Sequence, residues 1–530
     1  MNIRKVFALL GTRLSPAILT ISFVAGVLPP AHAGDSSAHI VLIVWDGLRP
    51  DMVTSSNCPT LYSFAQTGTT FSRHHAVYPS TTEVNGAALA TGVYPASSGI
   101  VGNHEYRPKI SINAPIMTAS LSAVRSGDEV TKGHYLAVPT IYERLQRQGD
   151  ITVVAATKPV GLIPDRSINR SNAAAAKSVN VFGGKTLPED LLPHLESKFG
   201  KFPEKPTFPD GPQNKWTLDV LLGSLWKDEV PKLSLLWLSD PDYTQHDTQP
   251  GSEKALASLK VNDGLLARLL DTLDKKGLRD KTDIMLVSDH GFSTVENNVD
   301  FAALLTEAGL PASRTFAQEP ALGDIMVVGN GGTVFFYVVG GDKPTAKRIV
   351  EFLQTSEHCG VIFCEDPLPG TFPLSAAHVN SPEAPQVIVS LRWNRSPNAS
   401  GTKGMVIGDS TSKKQPGHGM HGSLSPYDMH NTLIASGPHF RQGFVDDLPS
   451  GNVDIGPTIF WLLGIAPNYK VDGRVLSESF RKNPFPELKC QEKTLMSDPL
   501  ENQPWRQYLK ISTVDGTEYL DEGNFGDFKK

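Results

Sequence analysis

The sequence predicts an α/β fold in which a mostly parallel sheet is flanked by helices. Short runs that are apolar on both faces occur at 39–45, 151–156, 233–238 and 284–287, as expected for strands covered by helices. Segments with helical periodicity at 217–225 and 252–275 alternate with the later runs. Acidic residues follow several of the strands. Because such sheets bind ligands beyond the carboxyl ends of their strands, we expect the functional site there.

The first 33 residues have the composition of a secretory signal peptide. Basic residues flank its start, an apolar stretch runs from about 14 to 28, and Ala31-His32-Ala33 fits a cleavage site before Gly34. A membrane anchor is the alternative, but Pro16 and Pro29-Pro30 would leave a short and interrupted spanning segment. We therefore expect an exported protein, periplasmic or secreted, with no membrane span after cleavage.

The remaining chain divides into a catalytic domain at 34–484 and a C-terminal tail at 485–530. The region of about 320–397 is rich in Pro and Gly and predicts an inserted, smaller α+β subdomain. It has strand-like runs at 333–339, 361–364 and 386–393 and a helical run near 346–355. The core pattern resumes at 431–437 and 455–463, and the tail after about 484 reads as polar and irregular.

Charge and cysteine content limit the possible partners and the redox chemistry. The 530 residues carry a formal net charge of -6, which gives no sign of a nucleic-acid-binding surface and disfavours a stable nucleic-acid complex. In an oxidising compartment the four cysteines, Cys58, Cys359, Cys364 and Cys490, could form two disulfides. Proximity favours the pair Cys359–Cys364, and buried free thiols are the alternative.

A set of carboxylates and histidines predicts a metal centre. Asp46 ends the first strand, and Asp242-x-x-x-His246, Asp289-His290-Gly291 and His421-Gly422 follow along the chain. Taken alone, each motif is more often a surface or capping feature. Carboxylate oxygens and imidazole nitrogens at several strand ends are together a ligand set for two divalent metals such as zinc. His418 is an alternative to His421 as the last ligand.

A hydroxyl nucleophile is predicted in Tyr78-Pro-Ser-Thr-Thr82-Glu-Val-Asn85. Thr82 precedes a helix predicted at 83–90, and a helix N-terminus favours an anionic phosphate. The alternative is that Ser80, Thr81 or Thr82 only caps this helix. The Asp46 strand just upstream favours the catalytic interpretation.

These motifs resemble the type I nucleotide pyrophosphatase/phosphodiesterase family of the alkaline phosphatase superfamily. The likeness includes Tyr78–Asn85, Thr91-Gly-Val-Tyr-Pro95 running on to Asn103, and the Pro-Asp-x-x-x-His, Ser-Asp-His-Gly and His-Gly motifs in the same order. The resemblance implies an alkaline-phosphatase-like fold. It implies one zinc ion on Asp242, His246 and His421, and a second on Asp46, Asp289 and His290. Thr82 would also contact the metals as nucleophile, and Asn103 would donate to a phosphate oxygen.

The function implied is that of an exported two-zinc phosphodiesterase or nucleotide pyrophosphatase acting on small phosphate esters, including nucleotides, through a covalent phospho-threonine. Glu83-Val84 stands where the family has Phe-Pro. A phosphate monoesterase or phosphonate hydrolase on the same metal core is the alternative, with Lys158 binding substrate. The Lys-x-Arg pattern of monoesterases reads Lys158-Pro159-Val160, which favours diesters, and Lys158 could also be a solvated surface residue.

Other classes fit less well. Sulfatases of the superfamily need a Cys/Ser-x-Pro-x-Arg motif, which does not occur near Thr82. The predicted export disfavours a cytosolic mutase. A catalytically inactive binding domain would require a lost ligand, and every ligand type is present.

Overall fold

The computed structural model describes residues 39–166, 172–412, 414–482, 485–500 and 505–526. The predicted signal peptide at 1–33 lies outside these ranges. Across the ranges described, every helix is too short or too polar to cross a lipid bilayer.

A central sheet of nine described strands organises the fold. In spatial order its strands are Phe444–Asp446, Thr69–Phe71, Leu433–Ser436, Thr282–Val287, His39–Trp45, Leu233–Leu238, Thr152–Ala156, Val179–Phe182 and Lys185–Leu187. The five strands from Thr282–Val287 to Val179–Phe182 run parallel, whereas Leu433–Ser436 and Lys185–Leu187 are antiparallel to their neighbours. The predicted α/β class with a mostly parallel sheet is confirmed.

The first strand shows why this sheet is buried on both faces. Along His39–Trp45 the side chains alternate, and Ile40, Leu42 and Val44 pack into the apolar cluster on one face. Val41, Ile43 and Trp45 pack into a different cluster on the other face. Each such side chain contributes roughly 1.5–3 kcal/mol when fully buried. A continuous apolar run is therefore the pattern that a strand covered by helices on both sides requires.

Helices cover the sheet and connect its strands. The α-helices of the described chain are Pro59–Thr67, Thr82–Thr91, Pro95–Ser98, Leu121–Thr131, Ile141–Gln148, Ala173–Lys177, Leu192–Phe199, Gly211–Val220, Asp242–Asp247, Glu253–Lys275, Phe301–Glu307, Lys343–Leu353, Pro426–Met429 and Ile455–Leu462. The helix predicted at 252–275 is confirmed, and the Ser252 hydroxyl caps it by accepting from the Ala255 amide. The helix predicted at 217–225 begins earlier, at Gly211, and its last five residues form a π-helical turn.

Two further sheets lie beside the central one. The larger has the order Ala312–Ser313, Ile325–Gly329, Thr333–Val338, Val387–Leu391, Cys359–Cys364 and Phe372–Pro373. The smaller has the order Trp393–Pro397, Lys403–Asp409, Ser293–Val299 and Gly419–Met420. Strands and a helix, Lys343–Leu353, thus occur where the smaller subdomain was expected. The exact bounds of that insertion stay a prediction.

The C-terminal tail is not irregular, which corrects one prediction. The strands Cys490–Met496, Gln507–Val514 and Thr517–Phe525 form an antiparallel sheet. Leu509 and Val514 are fully buried, and the Gly523 amide donates to the Leu424 carbonyl. This sheet packs onto the rest of the protein and is part of the folded core.

Short pairs of strands complete the described structure. His74–His75 pairs in parallel with Ser450–Gly451, and His104–Glu105 pairs in antiparallel fashion with Ile116–Met117.

The expected Cys359–Cys364 disulfide is wrong, because all four thiols are free. Cys359 and Cys364 are the first and last residues of one strand. Five residues of extended chain separate their Cα atoms by roughly 16 Å, whereas a disulfide needs a separation below about 7 Å. Both side chains are instead buried in the apolar core.

Candidate active site

Four neighbouring parallel strands end at one edge of the central sheet and place polar side chains there. Asp46 directly follows the strand His39–Trp45, and Asp289 follows Thr282–Val287 after one intervening residue. Asp242 opens a short helix after Leu233–Leu238, and Lys158 follows Thr152–Ala156. Because parallel strands share the direction of their carboxyl ends, these four loops meet at the same edge.

The turn after Asp46 depends on a glycine. Gly47 has φ +72°, a conformation that residues with a side chain rarely adopt. A Cβ atom at this position would lie 2.9 Å from Phe292 and 3.1 Å from Cβ of Asp242. The backbone amide of Gly47, which lies beyond the end of the strand His39–Trp45, donates to Oδ1 of Asp289 at 3.1 Å. The turn thus fixes the carboxylates of two adjacent strands relative to each other.

All six predicted ligands converge at this edge: Asp46, Asp242, His246, Asp289, His290 and His421. Oδ1 of Asp242 lies 3.3 Å from Nε2 of His246 and 3.4 Å from Nε2 of His421. Nε2 of His290 lies 3.2 Å from Oδ2 of Asp289 and 3.6 Å from Oδ1 of Asp46. The rings of His290 and His421 stack with their centroids 3.6 Å apart.

Backbone carbonyls set the orientation of the three imidazoles. Nδ1 of His246, His290 and His421 lies 2.9 Å from the carbonyl oxygens of Gly419, Gly291 and Ser80, respectively. A carbonyl oxygen only accepts, so each Nδ1 carries the hydrogen and each neutral ring leaves a lone pair on Nε2. Those lone pairs face the carboxylates, which is the arrangement of histidines that bind a metal.

Three carboxylate oxygens at the site have no hydrogen-bond partner among the described residues: Oδ1 of Asp46, Oδ1 of Asp242 and Oδ2 of Asp289. All three are buried, and they face imidazole lone pairs. Buried oxygens and lone pairs in contact repel one another unless a cation lies between them. One ligand atom each from Asp242, His290 and His421 lies within 4.8 Å of the others, and the same holds for Asp46, Asp289 and His290. The donor set therefore fits divalent metals of the zinc type.

Burial and charge set the protonation of the site without metal. Burial and the nearby Asp289 carboxylate raise the pKa of Asp46 well above its usual value. Burial would also raise the pKa of Asp242, but the charge of Lys158 outweighs it and holds that pKa well below the usual value. Burial lowers the pKa of His290, and burial together with His290 lowers the pKa of His421 strongly. Both imidazoles are thus neutral and able to act as ligands.

Lys158 is a buried partner of the candidate ligands. The structure excludes the alternative that it is a solvated surface residue. Its Nζ lies 2.8 Å from Oδ2 of Asp242 and 2.9 Å from Oδ2 of Asp46. Burial alone would lower its pKa, but Asp242 and Asp46 raise it well above the usual value. The side chain therefore carries a charge that ties together two neighbouring strand ends.

Thr82 lies at the start of the helix Thr82–Thr91, with its Oγ1 3.3 Å from Nε2 of His290. Thr81 is the residue that precedes the helix, but its hydroxyl makes no capping hydrogen bond and is buried without a partner in the described chain. The Ser80 hydroxyl donates to the Ser423 carbonyl. Capping is thus not the role of the hydroxyls of Ser80 and Thr81, and the Thr82 hydroxyl faces the histidine–carboxylate cluster.

Asn103 caps the same helix from another segment. Its Oδ1 accepts from the backbone amide of Glu83 at 3.0 Å. Because the oxygen of the Asn103 side-chain amide must face the Glu83 amide, its Nδ2 donor points away from the helix. Asn103 also lines the cavity next to the site. The side chain is thus placed to donate a hydrogen bond to a group bound beside Thr82.

Glu83, which stands where the family has Phe, turns its carboxyl group into the protein. Its Oε2 is buried and has no hydrogen-bond partner in the described structure. Burial raises the pKa of Glu83 to about 7, although Lys158 opposes the shift. A carboxyl group therefore lies next to the candidate nucleophile, where it adds negative charge at alkaline pH.

Trp237 is a functional neighbour that sequence reasoning missed. Its indole Nε1 donates to Oδ2 of Asp46 at 2.7 Å. Trp237 pairs in register with Val44 across the parallel strands, so its side chain emerges beside Asp46. The only signal in the sequence was a polar-tipped aromatic residue next to the end of a mostly aliphatic strand.

His418 is the alternative last ligand, and it lies outside both ligand groups. Its Nδ1 is 3.2 Å from the carbonyl oxygen of His246, and the side chain is half-buried. His421, by contrast, is buried and reaches Asp242. The geometry thus favours His421.

A cavity of about 290 Å³ adjoins the histidine–carboxylate cluster. His246, His421, Thr81 and Asn103 line it on the side of the candidate ligands and nucleophile. It is also lined by 327–331, where a strand of the six-stranded sheet ends, and by the cationic residues Arg314 and Lys414. Arg314 pairs with Asp300 and Asp409, whereas Lys414 forms no salt bridge within the described chain. The region of the expected insertion therefore borders the site.

Comparison with known proteins gives one family. The sequence profile of the type I phosphodiesterase/nucleotide pyrophosphatase family matches residues 40–424. The mouse bis(5'-adenosyl)-triphosphatase enpp4 is 23% identical over 446 residues, which cover 82% of this chain and 80% of the relative.

Two other relatives align with about half of the chain. Human ectonucleotide pyrophosphatase/phosphodiesterase family member 1 is 25% identical over 265 residues, covering 50% of this chain and 24% of the relative. Venom phosphodiesterase 2 of Crotalus adamanteus is 24% identical over 284 residues, covering 51% of this chain and 30% of the relative. The match thus spans less than a third of these two longer proteins.

Proposed function

Because the chain belongs to the type I phosphodiesterase/nucleotide pyrophosphatase family, we propose that it hydrolyses phosphate diesters, including nucleotides, with Thr82 as nucleophile. The family establishes the class of hydrolase and the alkaline-phosphatase-like fold. One observation carries the finer proposal. Three unpartnered carboxylate oxygens and three imidazole nitrogens surround the point that the Thr82 hydroxyl faces.

The proposed cofactors are two zinc ions. Asp242, His246 and His421 would hold one ion, while Asp46, Asp289 and His290 would hold the other. Thr82 would contact the pair. Bound there, the ions would lower the pKa of a hydroxyl and neutralise the charge that builds up on a phosphate and its leaving group.

The chain's own residues supply attack and positioning. Oγ1 of Thr82 loses its proton and forms a bond to phosphorus as the bond from phosphorus to the leaving oxygen breaks, which yields a phospho-threonine and a leaving group that takes up a proton from solvent. Water then attacks phosphorus, and cleavage of the Oγ1–P bond restores the hydroxyl. The N-terminus of the helix Thr82–Thr91 favours the anionic group, and Nδ2 of Asn103 donates to a non-bridging oxygen.

Two observations favour diesters over monoesters. A monoester carries an additional negative charge, which Glu83 next to Thr82 would repel. Lys158, the residue that a monoesterase or phosphonate hydrolase would use for that charge, is engaged by Asp46 and Asp242 instead. Lys414 on the cavity wall could then meet a second phosphate of a nucleotide substrate.

We also propose that the protein is exported. The support is the signal-like composition of 1–33 and the names of two relatives, which describe an ectonucleotide enzyme and a venom enzyme. Export to the periplasm or the medium would place the site among nucleotides and other phosphate esters outside the cytoplasm. Detection of a mature chain that begins at Gly34 in the exported fraction would support this.

The decisive experiment compares zinc-loaded protein on a nitrophenyl nucleotide diester and on nitrophenyl phosphate. We expect faster hydrolysis of the diester and loss of both activities in Thr82→Ala, and we expect that variant to retain the zinc content of the wild type. Thr81→Ala is the matched control and should stay active. Preference for the monoester would reassign the enzyme as a phosphatase. Failure to bind about two metal ions together with failure to hydrolyse any phosphorus ester would refute the proposal.

A further inference from the structure

A second group of metal-ligand side chains lies away from the active site and shares no residue with it. His75, His430 and Asp521 each offer one ligand atom, and these atoms lie within 4.8 Å of one another. The three residues come from separate segments: the short strand His74–His75, the residue after the helix Pro426–Met429, and the C-terminal strand Thr517–Phe525. We call this group the His75 cluster.

The orientation of His75 matches that of the active-site histidines. Nδ1 of His75 lies 2.9 Å from the Ser450 carbonyl oxygen, which can only accept, so this nitrogen carries a hydrogen. Nε2 lies 2.9 Å from Oδ1 of Asp521. A lone pair on Nε2 against a carboxylate oxygen is repulsive, so the contact requires either a second proton on the ring or a cation shared by the two groups.

His430 supplies the second nitrogen. Its backbone forms an antiparallel bridge with His75, and the centroids of the two rings lie 4.4 Å apart. The side chain of His430 makes no hydrogen bond within the described residues. An imidazole that lies within reach of His75 and Asp521 and has no hydrogen-bond partner there can offer a nitrogen to a metal.

Asp521 supplies the charge. Its Oδ2 accepts from the Ser512 hydroxyl at 2.8 Å, and its Oδ1 faces Nε2 of His75. Nη2 of Arg73 lies 3.8 Å from Oδ1 of Asp521 and weakens its attraction for a cation. Arg73 is held more closely by Glu492, at 2.8 Å. The Asp521 carboxylate is thus not closely paired with Arg73 and is open to a ligand bond.

We propose that His75, His430 and Asp521 bind a single divalent transition-metal ion of the zinc class, distinct from the active-site metals. Two imidazoles and one carboxylate are a ligand set that zinc accepts, with solvent as the fourth ligand. Because the ligands come from the core and from the C-terminal sheet, the ion would fasten that sheet to the domain. Its role would be structural.

The test measures zinc stoichiometry on the full chain. Wild-type protein, stripped with chelator and reloaded, should bind about one equivalent more zinc than His430→Gln, and both should hydrolyse the same phosphate ester at similar rates. His378→Gln is the matched control, because His378 also faces the C-terminal strand, 3.6 Å from Glu518, but lies outside the cluster. Equal zinc content in wild type and His430→Gln would overturn the proposal.

A second measurement does not depend on the folding of a variant. Crystals of the zinc-loaded wild type should show an anomalous difference peak at the zinc absorption edge between His75, His430 and Asp521. A peak there supports the site whatever the occupancy of the active site. No peak, with His75 and Asp521 still 2.9 Å apart, would instead identify a protonated histidine paired with a carboxylate.

Discussion

The Lys158 ammonium lies 2.8 Å from the carboxylate of Asp242, inside a cluster of groups expected to bind metal. It also reaches Asp46 at 2.9 Å, so one buried cation balances two of the three carboxylates at the strand ends. Breaking a buried ion pair by removal of one partner costs about 3–5 kcal/mol. Lys158 is therefore expected to stabilise the metal-free protein.

The first prediction concerns Lys158→Met. In chelator, the variant should lose about 2–3 kcal/mol of stability, slightly less than a typical buried pair because Asp46 can take up a proton. With zinc bound, the loss should be smaller, because the ions replace the missing charge. Thermal unfolding with and without zinc measures both effects. Lys232→Met is the control, since Lys232 forms an ion pair with Asp150 in which both side chains are partly exposed to solvent. An equal loss with and without zinc would contradict the prediction.

The second prediction concerns Glu83→Gln. At alkaline pH the substitution removes a negative charge beside Thr82 without changing the size of the side chain. The ratio of kcat/KM for the monoester to that for the diester should rise about fivefold to tenfold, which corresponds to roughly 1–1.4 kcal/mol. Parallel assays on the two nitrophenyl substrates measure the ratio. An unchanged ratio would mean that the Glu83 carboxylate does not sense the phosphate.

The third prediction separates two roles of Asn103. Asn103→Asp keeps an oxygen that can accept from the Glu83 amide but removes the Nδ2 donor, so kcat should fall about 100-fold with little change in thermal stability. Asn103→Ala should lower kcat similarly and also lower stability by about 1 kcal/mol, because the helix loses its cap. Retention of activity in Asn103→Asp would show that Nδ2 makes no contact with the reacting group.

The fourth prediction concerns acid stability and His74. Ser450 and Asn452 hydrogen-bond both ring nitrogens of the buried imidazole, and burial lowers its pKa to about 3. In the unfolded protein the pKa of His74 is about 6.5, so unfolding takes up a proton at pH values between the folded and the unfolded pKa. Stability should therefore fall as the pH is lowered through this window.

His74→Gln is the variant that tests this slope. Denaturant unfolding in chelator at a series of pH values should show a pH dependence that is shallower by about one proton than in the wild type. The variant is also expected to be less stable near neutral pH, since it loses one of the two hydrogen bonds. Identical slopes would show that His74 is not the group responsible.

Much of the site followed from the sequence because of the parallel sheet. Apolar runs fixed the strands His39–Trp45 and Leu233–Leu238, and the residues after them had to meet at one edge. Asp46 and Asp242 could be placed together on that ground. The contact between Lys158 and these carboxylates could not be predicted, because a single lysine after a strand does not indicate which acidic residue it will contact.

The missed C-terminal sheet and the wrong disulfide prediction have different physical causes. The strand Cys490–Met496 lies mostly exposed, so it lacks the apolar pattern by which strands are recognised, and the sheet to which it belongs was missed. The proposed pairing of Cys359 with Cys364 relied on closeness along the chain. An extended strand separates residues that are near in sequence, so closeness in sequence misled.

The contact between His75 and Asp521 joins residues 446 positions apart. A polypeptide emerging from the ribosome cannot make this contact until the 446 positions that separate the two residues have been synthesised. The short strand His74–His75, which precedes the candidate nucleophile Thr82 in sequence, therefore lacks its contact with Asp521 until the strand Thr517–Phe525 has been made. Closing so long a loop slows folding, and translation errors that stop synthesis early would leave this surface open to degradation. Quality control of the nascent protein is thereby linked to completion of the strand Thr517–Phe525.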